Sequence, residues 1–496
     1  MTVGRLCATV TGETMAELRA ARDAAHGADL VEMRLDSVRD PDVAAALAGR
    51  RCPVLVTCRP TWEGGQFDGT EEERHRLLHQ AFELGAEWVD LEWRGGFERL
   101  VTGRHGQNVV LSMHAFDETP SDLETRYRDM RATGAEVVKL ATYAGSADDV
   151  IRLLELGRGS GSAPIVLVGM GPIGVVSRLL PHRFRSAWTY AGQGVAPGQV
   201  PLSQMVGRYR CHRLNETTSI YGVAGSPVNH SLSPVMHNAG FAAHDLDAVY
   251  VPFEAVDVGD LMRLARALGV SGLSVTAPFK EAVVDHLDEI DPLGRRVGAV
   301  NTLRADGRRW MGLNTDVPGF LAPLERRGGV TGLRSTVLGA GGAARAVAVG
   351  LAEAGSIVTV SARRKDRAAV VARLVGGTVG TMPPQPGSWD LLVNTTPSGT
   401  SPRIDETPVS ASALGRGRTV YDLVYNPART RLFRDADEAG LSTIGGLDML
   451  VAQAVKQFEW WTGTRPTDTL FRQAALAELA GVDGPEAESQ PEGRAV

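Results

Sequence analysis

Four cysteines in 496 residues, Cys7, Cys52, Cys58 and Cys211, are too few and too scattered for a disulfide framework, and no CxxC pair points to a zinc site. They read as reduced thiols in apolar surroundings. No apolar run approaches the roughly 18 to 20 residues of a membrane-spanning helix, and the opening MTVGRLCATV lacks the apolar region of a secretory signal. A cytoplasmic protein with no membrane partner is expected. Basic residues do not dominate either: 52 Lys and Arg stand against 58 Asp and Glu, a net charge of −6, with no basic stripe for nucleic acid. Small-molecule chemistry is the expectation that remains, with no sign of a metal requirement and nothing that fixes an oligomeric state.

What is present is length and rhythm. A chain of 496 residues is expected to divide into about three domains. From residue 1 to about 212, short apolar or β-branched runs alternate with segments of helical period. The runs are LCATV (6–10), LVEMR (30–34), PVLVTCR (53–59), WVDLE (88–92), NVVLSMH (108–114), VVKLA (137–141), PIVLVGM (164–170) and AWTY (187–190). Eight βα units of this length predict an α/β fold closed into a (β/α)8 TIM barrel.

Chemistry in such a barrel gathers where the strands end. Here the ends carry Glu32, Arg34, Arg59, Glu92, His114, Lys139 and Met170, with Arg178 in the loop after the seventh strand. A single polar strand end is explained by solvent; six or more on one rim are not. Lys139 has two readings. Its stem lies along apolar surface with the amine at water, or desolvation with Arg178 and Arg59 nearby lowers its pKa until a neutral amine can attack a ketone. His114, on the preceding strand, titrates near neutrality and can shuttle a proton. Glu92, one strand further back, can hold its tautomer.

EMRLD (32–36), TCRP (57–60), DLE (90–92), SMHAFDETP (112–120), KLA (139–141), GMGPIGVVSR (169–178) and APGQ (196–199) keep an order and spacing that resemble the type I 3-dehydroquinate dehydratases over essentially all of residues 1–205. The resemblance implies that Lys139 forms an imine with the substrate ketone while His114, partnered by Glu92, removes the α-proton and protonates the departing hydroxyl. It also implies Arg178 for the substrate carboxylate, Glu32, Arg34, Arg59 and Gln199 for hydroxyls, and Met170 against the ring. The chain departs from the family at Val195, where serine is usual, which removes a hydroxyl from a loop expected to close over substrate.

The polar stretch YRCHRLNETTS (209–219) is expected to be a short linker. Beyond it, YGVAGSPVNHSLSPVMHNAGF (221–241) sets Ser231 and Ser233 before a helix, where hydroxyls cap the helix or help its N-terminus hold a carboxylate. STVLGAGGAARAVAVGLAEAG (335–355) gives an apolar strand, then Gly339, Gly341 and Ala344 at GxGxxG/A spacing, then a helix: a Rossmann dinucleotide pattern. The second strand, SIVTVSA (356–362), is followed by Arg363, Arg364, Lys365 and Arg367 rather than by an acid, which predicts NADP(H) as the cofactor. Lys280, after the strand of SVTAPFK (274–280), and Asp316, in the expected loop of GLNTD (312–316), can donate the proton that ketone reduction requires.

With GAVNT (298–302), NTTPSG (394–399), YDLVYNP (421–427) and GGLDMLVAQA (445–454), these stretches resemble the shikimate dehydrogenases over roughly residues 219–480. The resemblance implies Lys280 and Asp316 as the catalytic pair, and Ser231, Ser233, Thr276, Asn301, Tyr425 and Gln453 as substrate contacts. For the cofactor it implies the loop Gly339, Ala340, Gly341, Gly342 and Ala343, with Arg363, Arg364, Asn394, Thr395 and Gly446. Residues 1–212 are then expected to form the dehydratase barrel, 219–318 with 447–482 a substrate domain, 319–446 the nucleotide domain, and 484–496 a disordered tail. The function implied is bifunctional: dehydration of 3-dehydroquinate, then NADPH reduction of 3-dehydroshikimate to shikimate. Rival readings are a quinate/shikimate dehydrogenase with an impaired dehydratase half, and a non-catalytic regulatory protein derived from these domains.

Overall fold

The eight runs of the first half become eight parallel strands in the computed structural model, which describes residues 4–192, 194, 198–415 and 417–482. They are β1 (Arg5–Val10), β2 (Leu30–Arg34), β3 (Val54–Thr57), β4 (Trp88–Glu92), β5 (Val109–Ala115), β6 (Val137–Tyr143), β7 (Ile165–Met170) and β8 (Trp188–Ala191), in the order β7-β6-β5-β4-β3-β2-β1-β8. The barrel is nearly closed. At the seam a single parallel bridge joins Ile165 to Ser186, and the Leu167 N–H donates to Ser186 Oγ at 3.0 Å.

Side chains alternate along a strand, so every second residue points inward. One interior set is apolar: Cys7, Leu30, Leu55, Val110, Val137 and Trp188 cluster, with Trp88 against them. Two residues further along the strands stand Thr9, Glu32, Thr57, Asp90, Ser112, Lys139 and Tyr190, all buried. Two further again come Arg34, Arg59, Glu92, His114, Ala141 and Met170. An interior of charged groups this dense is stable only if they satisfy one another.

The chain divides into two compact units, Met1–Ile220 with Asp247–Gly269, and Tyr221–Leu246 with Val270–Val496. The segment 247–269, expected within the substrate domain, thus groups with the barrel. It holds β10 (Ala248–Glu254, after β9 at Ser219–Gly225) and the helix Val258–Leu268. The physical reason is polar as well as apolar. Asp260, 3% exposed, accepts the Ala147 N–H at 3.0 Å and so caps the barrel helix Ala147–Gly159, while Arg263 pairs with Asp148 at 3.1 Å. Replacing Asp260 with alanine is expected to cost the first unit about 1–2 kcal/mol, because it uncaps that helix and leaves Arg263 one partner fewer. A lowered midpoint in urea unfolding followed on the barrel would show it.

The second unit carries two sheets. One runs β9-β11-β13-β14-β12, with β11 (Val270–Val275), β12 (Glu289–Ile290), β13 (Thr302–Asp306) and β14 (Arg309–Leu313); the β11–β13 and β13–β14 pairs are antiparallel and β12–β14 is parallel. The other is wholly parallel: β15 (Arg334–Leu338), β16 (Ile357–Ser361), β17 (Thr378–Val379), β18 (Leu391–Asn394), β19 (Thr419–Asp422) and β20 (Ser442–Ile444), ordered β17-β16-β15-β18-β19-β20. That order reverses beside β15, which puts the crevice of a doubly wound sheet at the end of β15. Asp316, expected in a loop, is the first residue of the helix Asp316–Glu325, and the helix Gly446–Thr462 packs along it.

Candidate active sites

Burial alone does not make the barrel interior reactive; the pairing of its charges decides what each can do. Lys139, 5% exposed, sits on β6 opposite Ser112 of β5. Its Nζ lies 3.1 Å from Asp90 Oδ2 and 3.6 Å from Glu32 Oε1, and 4.5 Å above the Tyr190 ring. The cationic, apolar setting expected for this amine is therefore only half of the picture, since two carboxylates flank it. His114 lies two residues beyond Ser112, next to the last residue of β5.

Glu92 does not hold His114, as had been expected. The partner is Glu63, whose Oε1 accepts both the His114 backbone N–H and lies 2.9 Å from its ring Nδ1. Glu92 is instead consumed by two guanidiniums, Arg59 at 2.8 Å and the fully buried Arg74. Two arginines, one on each oxygen, hold the carboxylate in place, while the imidazole bonds Glu63. Glu63 escaped the strand-end argument because it lies in the short 3-10 turn Thr61–Glu63 after β3. The signal was the pair of glycines behind it. A Cβ at Gly65 would come 2.0 Å from the Arg59 carbonyl oxygen, so only glycine lets the turn fold back and aim Glu63 inward.

The resulting electrostatics are unequal. Burial lowers the His114 imidazole well below its usual range, and Arg59 and Lys139 add to the effect. Burial pushes the Glu63 carboxyl up to about 7, against the pull of Arg59. Burial also opposes the charge on Asp90, yet Arg59 and Lys139 outweigh it and hold that carboxyl well below the usual range. Arg178 is lowered to about 10 by burial. Glu32, Arg34, Arg59, His114, Lys139, Met170, Arg178 and Gln199 line a single open cavity at the strand ends, joined there by Glu63, Phe116 and Tyr190. Arg34 is held in place by a two-pronged bond to Asp36, at 2.8 and 2.7 Å. Val195 and the tail 484–496 lie outside the described residues.

In the second unit, Lys280 Nζ and Asp316 Oδ2 are 2.6 Å apart. Asp316 Oδ1 accepts from Asn301 Nδ2 at 2.9 Å, and Asn301 Nδ2 lies 3.5 Å from Gln453 Oε1. These four side chains form one polar cluster. Ser231 and Ser233 stand at the start of the helix Ser233–Ala243, the Ser233 N–H donating to Ser231 Oγ at 3.2 Å. Thr276 follows β11, and Tyr425, half-buried, has its phenol raised by burial. None of these four hydrogen-bonds Lys280 or Asp316 among the described residues.

The glycine loop follows β15. Gly339 has φ +118°, and a Cβ there would meet Thr395 Oγ1 at 2.4 Å, so glycine is obligatory. The helix Gly342–Glu353 starts from Gly341 with Ala340 before it, and no side chain caps its first N–H groups. An uncapped helix start behind a glycine turn fits a dinucleotide pyrophosphate. A Cβ at Gly342 would lie 3.6 Å from the Lys280 side chain, so the loop and the Lys280–Asp316 pair adjoin. Ala343 continues the helix. Asn394 is fully buried, donating to Asp422 Oδ1 at 2.9 Å and accepting from the Thr396 N–H at 3.0 Å; it shapes the loop that carries Thr395. Gly446 opens its helix hard against Leu423, while Arg363 and Arg364 are exposed just past β16, with Arg364 bonded to Asp366 at 2.8 Å.

Residues 6–216 match the family model for type I 3-dehydroquinase, 223–303 that for the shikimate dehydrogenase substrate binding domain, and 446–476 that for the shikimate 5'-dehydrogenase C-terminal domain. A bifunctional 3-dehydroquinate dehydratase/shikimate dehydrogenase of Arabidopsis thaliana, chloroplastic, is 34% identical over 94% of this chain and 83% of its own length. A shikimate dehydrogenase (NADP(+)) of Moorella thermoacetica is 41% identical over 54% of this chain and 98% of its own. Among solved structures, a shikimate dehydrogenase in complex with NADP+ superposes with a TM-score of 0.51 at 34% identity, covering 54% of this chain and 97% of that one. Both halves match in the order of the two-domain relative and over nearly the whole length, and the chain belongs to the bifunctional 3-dehydroquinate dehydratase/shikimate dehydrogenase family.

Proposed function

We propose a division of labour by residue within this bifunctional shikimate-pathway enzyme, which dehydrates 3-dehydroquinate and reduces 3-dehydroshikimate with NADP(H). The observation that carries the first half is Lys139 beside His114, with Glu63 on the imidazole, in one cavity. Lys139 adds to the substrate ketone and forms an imine, the carbonyl oxygen leaving as water; hydrolysis of the product imine later returns the amine. His114 takes the α-proton and returns it to the leaving hydroxyl, so that water departs. Glu63, when ionised, accepts the Nδ1 proton and leaves the other ring nitrogen free to act as the base. Arg34, Arg59, Arg178, Glu32, Gln199 and Met170 hold the ring and its substituents.

In the second half, NADPH, when bound at the glycine loop, supplies the hydride. Lys280 and Asp316 bring a proton to the carbonyl oxygen that becomes the hydroxyl. Asn301 and Gln453 orient Asp316 and the substrate, Ser231 and Ser233 take the carboxylate at a helix start, and Arg363 and Arg364 take the ribose 2'-phosphate. In domain terms, 1–212 is the dehydratase, 219–318 with 447–482 the substrate domain and 319–446 the nucleotide domain. Four free thiols suit a reducing compartment, the cytoplasm in this reading.

The test is one cuvette. Protein given 3-dehydroquinate alone should produce enone absorbance; adding NADPH should then consume the nicotinamide absorbance. Enone formation without subsequent oxidation, or the reverse, would remove one half of the reading. A sharper check follows from Glu63. Because its carboxyl ionises at about 7 and only the ionised form leaves His114 as a base, the dehydration rate should rise with pH through about 7. Glu63→Gln should lower kcat by on the order of 10- to 100-fold and abolish that rise. A rise that persists unmoved in the variant assigns the titration elsewhere.

A further inference from the structure

Asp90 is the carboxylate nearest the Lys139 nitrogen, at 3.1 Å, and it is wholly buried. Its other oxygen accepts Ser112 Oγ at 2.5 Å and Arg59 Nη2 at 2.9 Å, so its position is fixed from both sides. Glu32, the second carboxylate near Lys139, is 3.6 Å away and has both oxygens engaged by hydroxyls, Thr9 at 2.9 Å and Thr57 at 2.9 Å. The remaining charged or titratable groups that share the cavity with the amine are Arg34, Arg59, Glu63, His114, Arg178 and Tyr190, and Cys7 lies within its field. Glu63, the one carboxyl among them, is bonded to His114 and is pushed up to about 7 by burial, so none of them supplies a fixed negative charge at the amine.

We propose that Asp90 is a catalytic carboxylate, which stabilises the positive charge that returns to the Lys139 nitrogen as the hydroxyl leaves. The inference rests on the imine role proposed above for Lys139. When His114 removes the α-proton, the C–H electron pair becomes the C=C bond of an enamine and the C=N pair falls back on nitrogen, which turns neutral. In the next step the nitrogen lone pair re-forms C=N⁺, the C=C pair shifts to the new double bond, and the C–O pair leaves with the hydroxyl, protonated by His114 to water. Positive charge therefore grows at nitrogen in the second step only, against an anion already in place. Such a preorganised charge favours the transition state of elimination.

The full-length Asp90→Asn, Asp90→Glu and Ser112→Ala variants, with wild type, test this. Borohydride trapping of wild type with substrate first establishes the Lys139 adduct; its absence would overturn the imine reading and the Asp90 role with it, whereas failure of the rate tests below with the adduct present would overturn the Asp90 role alone. With the adduct present, two rates are measured in deuterium oxide: water elimination, and α-hydrogen exchange in the unreacted substrate. Asp90→Asn should slow elimination by on the order of 100-fold while exchange continues, so the ratio of exchange to elimination climbs. Asp90→Glu should restore most of the elimination. Ser112→Ala, which loosens Asp90 without removing its charge, should raise the ratio in the same direction by less, and serves if Asp90→Asn does not fold. Elimination within about threefold of wild type in Asp90→Asn, or an unchanged ratio in the variants that fold, would overturn the proposal.

Discussion

Lys139→Ala is expected to lower dehydration of 3-dehydroquinate by on the order of 10⁴-fold or more, and to leave NADPH reduction of 3-dehydroshikimate by the same preparation within about twofold of wild type. The size of the effect follows from the chemistry: without the amine there is no covalent electron sink, and His114 cannot remove so weakly acidic a proton unaided. The surviving reduction separates lost chemistry from lost folding of the whole chain. Identification of the adduct is simple here, because the sequence contains only four lysines, Lys139, Lys280, Lys365 and Lys456. Borohydride reduction in the presence of substrate should add mass to the peptide carrying Lys139 and to none carrying the other three. Undiminished dehydration in the alanine variant would mean that the barrel works without covalent attachment.

The second large effect is expected at the other site. Lys280→Met should reduce the rate of 3-dehydroshikimate reduction by on the order of 10³-fold, the upper part of the range for loss of a positioned proton donor. Asp316 sits 2.6 Å from the amine and is itself tied to Asn301 at 2.9 Å, so removal of Lys280 leaves a 4% exposed carboxylate without its cation. Asp316→Asn should therefore be slow as well, and the double variant scarcely slower than either single one, because two members of one proton-donating unit do not contribute additively. Dehydration should be untouched in all three, measured as enone formation without NADPH. Additive losses in the double variant would argue for two independent roles.

Much of this was legible because it is written in period. Eight apolar runs announced eight strands, and inward parity alone brought Lys139, His114 and Arg59 into one barrel interior. The glycine spacing at 339–344 announced the helix start it serves. Three things were hidden for physical reasons. Glu63 lies in a turn, where no period fixes direction, and it was displaced in the reading by Glu92, whose partners Arg59 and Arg74 come from β3's end and from a helix that strand logic does not see. Asp90 lies mid-strand, in the same layer as Lys139, where a search of strand ends passes over it. The attachment of 247–269 to the barrel unit depends on Asp260 reaching a helix start 113 positions earlier in the chain, a contact that no local pattern encodes.

The buried charges of the barrel run in strict alternation: Arg74, Glu92, Arg59, Asp90 and Lys139, each bonded or paired to the next. A string of this kind constrains sequence drift. Neutralising any interior link strands like charges across a dry gap, so the viable paths away from the present sequence pass through paired exchanges rather than single steps. A mutational library aimed at new ring substrates would do better to leave all five positions alone, or to vary them jointly, and to spend its diversity on Met170 and Phe116, which border the same cavity without belonging to the string.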